Sequence, residues 1–212
     1  MQTNRGRLTA VRGVLLMTVL CAFTIGCSGR ARSVDRFYGI VNSPAADGKL
    51  VSIDVRDQND VTITPIGTIG TFGCTSVALS KEGTLYSICG PANFADTQHK
   101  YGCMTPGPQQ LANIDPKTGH ATMFGAPVEK LNVMALEFAP DGTLYASALR
   151  SDSVFRIAPD GSRSVAARGL SAPWALAYTP DGTLYVVDAD RATLNRVAAD
   201  GSVTPVRLSA PM

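Results

Sequence analysis

Few side chains in this chain could do chemistry, and most sit where turns are expected. There are two histidines. His99 lies in a polar, Gly- and Pro-rich stretch and reads as a solvated loop residue, with a ligand role beside Cys103 as the alternative. His120 ends Lys117-Thr118-Gly119-His120, a strand-to-strand turn. Asp54, Asp57 and Asp60 crowd one turn but lack the glycine-centred spacing of a calcium loop, so a solvated turn is expected. Glu137 stands between Leu136 and Phe138 in an apolar run. Burying it without a partner would be costly, so a solvent-facing or hydrogen-bonded place is expected. It is also the residue on which an acid–base role would fall first.

Five cysteines are present. Cys21 and Cys27 belong to the N-terminal region, leaving Cys74, Cys89 and Cys103, an odd number that allows one bridge and one free thiol. A hairpin turning at Glu82-Gly83 would set Cys74 nearly opposite Cys89. Cys89 and Cys103 instead bracket the stretch Gly90 to Gly102, and closing that loop is the plainer expectation. No CxxC spacing supports a zinc site.

The elements that must carry these residues come from a repeat. VALSKEGTLYSI, ALEFAPDGTLYAS and ALAYTPDGTLYVV recur with glycines at Gly83, Gly142 and Gly182. In the last copy, β-prone residues Ala175–Tyr178 and Leu184–Val187 flank Pro180-Asp181-Gly182. Proline presets the turn's first corner and glycine closes it, so the pair reads as a hairpin. A third run, Leu194–Ala198, a second turn at Asp200-Gly201 and a fourth run from Val203 to Leu208 complete four strands. A repeat of roughly 40 residues built this way is expected to be one blade of an all-β propeller.

Blades are placed at about 35–72, 73–131 (with an insertion at 90–110), 132–171 and 172–212. In the first, Phe37-Tyr38 aligns with Leu184-Tyr185, and the innermost strand is missing. SVAARGLSAPW (164–174) aligns with SVTPVRLSAPM (202–212), so the last copy stops where another inner strand would begin. The expectation is an arc of three full blades and one partial blade, truncated or completed by another chain, with self-association through the incomplete blade. A tight four-bladed ring is the alternative.

The PDGTLYV phrase and phrases of the LxRIxPDG kind resemble the NHL-repeat propellers and the related gluconolactonase and streptogramin-lyase superfamily, over nearly all of residues 36–212. The gluconolactonase-like enzymes of that resemblance hold a metal through a Glu and Asn residues at inner-strand starts. The matching positions here are Thr75, Met134 and Trp174, none a good hard-cation ligand. An early Glu-Gly-Pro phrase is missing, and the histidine that the lyases place near their metal has no counterpart in a repeat strand. An Asp at the position of Asp188, followed here by Asp190, usually caps a turn in these families. Trp174, Met134 and Thr75 are therefore read as a mostly apolar rim, suited to a sugar, a base or an apolar ring. Trp174 packed between blades is the alternative.

Residues 1–26 read as an export signal. Arg5, Arg7 and Arg12 precede the apolar run Val14–Gly26, too short to span a bilayer comfortably. Thr24-Ile25-Gly26-Cys27 resembles a bacterial lipoprotein signal, with Thr24 where leucine is usual. The resemblance implies lipidation at Cys27, a tether over residues 27–34 and a propeller over 35–212, with ordinary secretory cleavage near Cys27 and a free soluble protein as the alternative. It places the protein in the bacterial envelope, on the outer membrane facing the periplasm or the exterior. Loss of three arginines leaves 16 basic against 17 acidic residues. No basic stripe remains for nucleic acid. The expected function is binding of a protein or small molecule without metal or cofactor, the alternative being a divergent metal-dependent hydrolase or lyase.

Overall fold

Alternating residues about glycine-closed turns fold as expected into antiparallel sheets. The computed structural model describes residues 35–43, 46–71, 73–90, 108–128 and 132–207. Cys27, His99 and Cys103 lie outside the described residues. The first sheet joins β1 (Asp35–Ser43), β2 (Ala46–Asp57) and β3 (Asp60–Thr68). The second joins β4 (Val77–Leu79), β5 (Leu85–Cys89), β6 (Gln109–Ile114) and β7 (Ala121–Val128). The third joins β8 (Val133–Phe138), β9 (Leu144–Ala148), β10 (Ser153–Ile157) and β11 (Arg163–Ala167). The fourth joins β12 (Pro173–Tyr178), β13 (Leu184–Asp188), β14 (Thr193–Val197) and β15 (Val203–Pro205).

Strands pair with their chain neighbours in every sheet. The molecule is an all-β propeller of three four-stranded blades and one three-stranded blade. Helix among the described residues is a single 3-10 turn, Leu149–Ser151. The second strand of each full blade begins Leu-Tyr, with Tyr86, Tyr145 and Tyr185, and β1 carries Tyr38 at the matching place. Among the described residues the strand that the first blade lacks is thus the innermost one, whose place is beside β1.

The repeated turn works as its residues require. The amides of Gly142 and Gly182 donate to the carbonyls of Ala139 and Thr179, both at 2.9 Å. Asp141 and Asp181 accept the amides of Thr143 and Thr183 at 2.8 and 3.2 Å, closing each corner from the side chain.

Three apolar cores lie between consecutive blades. Leu50 and Ile69 meet Val77, Leu85 and Ile114 between the first and second. Ile88 and Leu111 meet Leu136, Leu144 and Ile157 between the second and third. Tyr145 and Val154 meet Leu176, Leu184, Val186 and Val197 between the third and fourth. The second and third sheets use one face toward the preceding blade and the other toward the next.

Candidate functional site

Of the three inner-strand starts, Thr75 joins two blades. Thr75 is half-buried and its hydroxyl donates to the carbonyl of Val133 at 2.8 Å, tying the second blade to the third. Buried Gln109 reaches the same residue, accepting the Val133 amide at 2.7 Å. Met134 is buried and Trp174 half-buried at the second position of β12. None of Thr75, Met134 and Trp174 lines the three clefts described below. A hydroxyl committed to a carbonyl, a thioether and an indole do not fit a hard cation, which wants several free oxygens. Among the described residues no three of His, Cys, Asp and Glu converge on a place for a metal ion.

One junction recurs in each full blade, where the lead-in to the inner strand meets the end of the second strand. The second blade closes it with a disulfide, Cys74–Cys89, whose Cα atoms are 4.0 Å apart. This corrects the expected Cys89–Cys103 pairing. The hairpin of β4 and β5 brings the ends of residues 74–89 face to face, so the insertion is not what the bridge closes. The third blade uses the backbone alone, Leu149 N–H donating to the Asn132 carbonyl at 3.0 Å. In the fourth, the fully buried carboxylate of Asp188 accepts the amides of Ser171 at 2.8 Å and Ala172 at 3.1 Å, with Arg191 against it at 3.3 Å. Asp188 caps a turn, and Asp190 accepts from the Ser171 hydroxyl beside it at 3.3 Å.

Asp57 and Asp60 flank the β2–β3 turn as expected, whereas Asp54 corrects the turn reading, since it lies inside β2 and pairs across to β1. Asp54 holds Arg36 in a bidentate pair at 2.6 and 2.9 Å, which keeps its carboxyl below the usual range. Asp57 accepts the Asn59 amide at 2.8 Å, and Asp60 faces Arg56 at 3.4 Å. His120 is exposed in its turn.

Glu137 departs from its neighbours. It is 9% exposed in β8, so it does not face solvent. Its carboxyl accepts the backbone N–H of Tyr178, on the edge strand β12 of the next blade. Burial is the larger effect and pushes its pKa up from 4.5 to about 7. Glu137 and Phe138 border a cleft of ≈ 140 Å³ with Arg36, Phe37, Tyr38 and Leu79, where β1, β4 and β8 approach one another. Ala78 and Ala177 occupy the matching positions of the other inner strands, so Glu137 breaks the repeat. That mismatch was the available sequence signal.

Two larger clefts open between blades at the ends carrying the repeated turns. One of ≈ 300 Å³ lies between the third and fourth blades, with Tyr145, Tyr178 and Arg156 in its wall. Burial, then a hydrogen bond with Tyr145, raises the Tyr178 hydroxyl above the usual phenol range. The other, of ≈ 530 Å³, lies between the second and third blades. Its floor is an aromatic group in which Tyr86 meets Phe124 and Phe138 edge-on, ring centres 5.9 and 5.2 Å apart. Arg156, Arg163, Glu82 and Asp141 stand around it.

Solved structures that share this arrangement include several that are distant in sequence. A protein of unknown function from Bacteroides thetaiotaomicron superposes with a TM-score of 0.60 at 19% identity, over 80% of this chain and 44% of that one. A chain of the nidogen/laminin complex gives 0.55 at 15%, over 82% and 61%. A gluconolactonase from Xanthomonas campestris gives 0.53 at 14%, over 80% and 57%. The chain thus spans roughly half the length of these structures. No protein-family model matches it, and no curated protein matches it. At such identities the likeness is one of architecture, and the chain has the β-propeller fold that these structures share.

Proposed function

We propose that this chain is a propeller of the bacterial envelope, lipid-tethered through Cys27, that binds a small molecule or protein segment between its blades instead of catalysing a reaction. The observation that carries the reading is the ≈ 530 Å³ cleft between the second and third blades, the size of a ligand site, with an aromatic floor and a polar rim. Its acids are committed elsewhere. The Thr143 amide holds the Asp141 carboxyl below the usual carboxylate range, and its own backbone N–H and then Ser80 do the same for Glu82. Groups held ionised this way are weak bases, whereas a general base works best with a pKa near the working pH. Arg156 and Arg163 at the rim favour an anionic aromatic ligand. The tether is supported by the basic, apolar, Gly-Cys order of residues 5–27.

Thermal-shift screening of aromatic carboxylates against the purified protein is expected to yield stabilising ligands whose effect weakens in Arg163→Ala. Lactone hydrolysis above background with added divalent metal would overturn the binding reading. For the tether, Cys27→Ser should release the protein into the soluble fraction or leave it unprocessed. Retention in the membrane with normal processing would refute it.

A further inference from the structure

Glu137 is the one inner-strand position where an acid replaces the alanine of the other full blades, Ala78 and Ala177. Blade geometry therefore does not require it, and its burial carries a desolvation cost. What it borders is a small cleft of ≈ 140 Å³ whose other walls are mainly apolar and aromatic, with Phe37, Tyr38, Leu79 and Phe138. We propose that this cleft binds a small organic cation, a primary amine on a short apolar body, and that Glu137 is the group that pairs with the ammonium.

The surroundings favour a cation over other ligands. The hydrogen bond Glu137 receives comes from a neutral backbone amide, and no described cation pairs with it. Arg36 borders the cleft, but Asp54 grips its guanidinium through both oxygens and offsets its charge. The other ionisable groups on packed elements are exposed Asp35 at the start of β1, the phenols Tyr38 of β1, Tyr86 of β5, Tyr145 of β9 and Tyr178 of β12, and Arg156 of β10, which donates to the Tyr145 hydroxyl at 3.0 Å. Tyr38 and Phe138 line the same space, with Phe37 at its border, and an aromatic ring face attracts a desolvated ammonium. The volume lies below the usual range for drug-sized ligands, which limits the occupant to a short body. In the empty cleft the buried acid takes up a proton near neutrality, and a bound ammonium replaces that proton.

The probe is benzylamine, with benzyl alcohol and benzoate as controls of similar shape, measured by calorimetry on the purified full chain at pH 6 and pH 8. Benzylamine is a cation at both. Its affinity should be roughly tenfold higher at pH 8, where Glu137 is ionised before binding. Glu137→Gln keeps the acceptor for Tyr178 and should weaken binding at pH 8 by roughly tenfold or more while flattening the pH dependence. Glu137→Ala restores the residue of the other blades and serves as a second variant should the amide perturb the fold. Binding of benzyl alcohol or benzoate as tightly as benzylamine would overturn the ligand class. Unchanged amine binding in both variants would overturn the role of Glu137. The proposal rests on the binding reading but fails separately from it. Indifference to amines beside a working interblade cleft sinks only this site, and lactone turnover sinks only the broader reading.

Discussion

At the scale of single residues, two buried acids solve the same problem differently. Asp188 is surrounded by donors, whereas Glu137 has one neutral amide. Glu137 therefore links stability to pH. Its pKa in the folded state is raised from 4.5 to about 7, so the native protein binds the proton more tightly than the unfolded chain. The stabilisation is full below pH 4.5 and is lost as pH rises through 7, by at most roughly 3 kcal/mol before solvent screening reduces it. Urea titrations between pH 5 and 8 should show that decline in wild type and a flatter profile in Glu137→Gln. An unchanged slope in the variant would place the dependence elsewhere. Asp188→Ala leaves the amides of Ser171 and Ala172 without their acceptor in a buried place. The expected loss at pH 7 is about 2–3 kcal/mol, seen as a lower urea midpoint with the same m-value. Asp188 as a turn cap was legible in the sequence through its place after the second strand. The burial of Glu137 was not, because alternation in an inner strand leads to the next blade, and a single strand does not show how close that blade comes.

At the scale of elements, the two glycine turns of each repeat look alike in sequence and do different work. Gly182 and Gly201 both have positive φ, 83° and 86°. A Cβ on Gly182 would meet nothing within 4 Å, whereas one on Gly201 would come within 2.5 Å of the Ala166 carbonyl oxygen on the preceding blade. The pattern repeats around the molecule, since Gly119 abuts Gly67 and Gly161 abuts Gly125. First-turn glycines serve the hairpin, and second-turn glycines also let neighbouring blades close at the rim. Gly182→Ala should cost about 1–2 kcal/mol of backbone strain, and Gly201→Ala distinctly more, with its effect on the junction of the last two blades. Equal costs would mean that rim contact is not limiting. The Cys74–Cys89 bridge closes a segment of sequence separation 15, and replacing both cysteines with serine should lower stability by about 3 kcal/mol. Repeat period, turn type and the lack of an inner strand among the first blade's described residues were all readable from spacing. The bridge was misassigned because loop closure and hairpin closure share Cys89, and only the register of β4 on β5 separates them. Gln109 joining Val133 was also hidden, since it depends on a contact between strands of different blades.

At the scale of the whole molecule, four blades are joined by three cores, and the two outer faces of the series remain. On the first blade, Phe37 pairs with Ile53 and Ile53 with Ile63, so these share the face away from the second blade, as do Val41 and Val61. Val41, Val61 and Ile63 are 48–53% exposed. On the fourth, Ala175 pairs with Val187 and Val187 with Leu194, and Val187 is 41% exposed. Four of the five large exposed hydrophobic residues described thus lie on these two faces; Leu79, the fifth, borders the axial cleft. The faces are complementary by descent from the repeat. Residues 175, 185 and 194 stand where Ala135, Tyr145 and Val154 stand in the third blade, and those three pack against the fourth. The fourth blade is thus built to receive a further blade, and the first presents the face that each blade turns to its predecessor. Among the described residues no strand pairs with the inner edge of β1, which lies beside that face. We propose that the purified chain self-associates through these surfaces. Light scattering over a concentration series should show mass rising above that of the single chain. Ile63→Lys and Val187→Lys, each placing a charge on an already exposed position, should lower that association without lowering the urea midpoint of the blades. A concentration-independent monomer, unchanged by either substitution, would mean that the two faces are satisfied within one molecule.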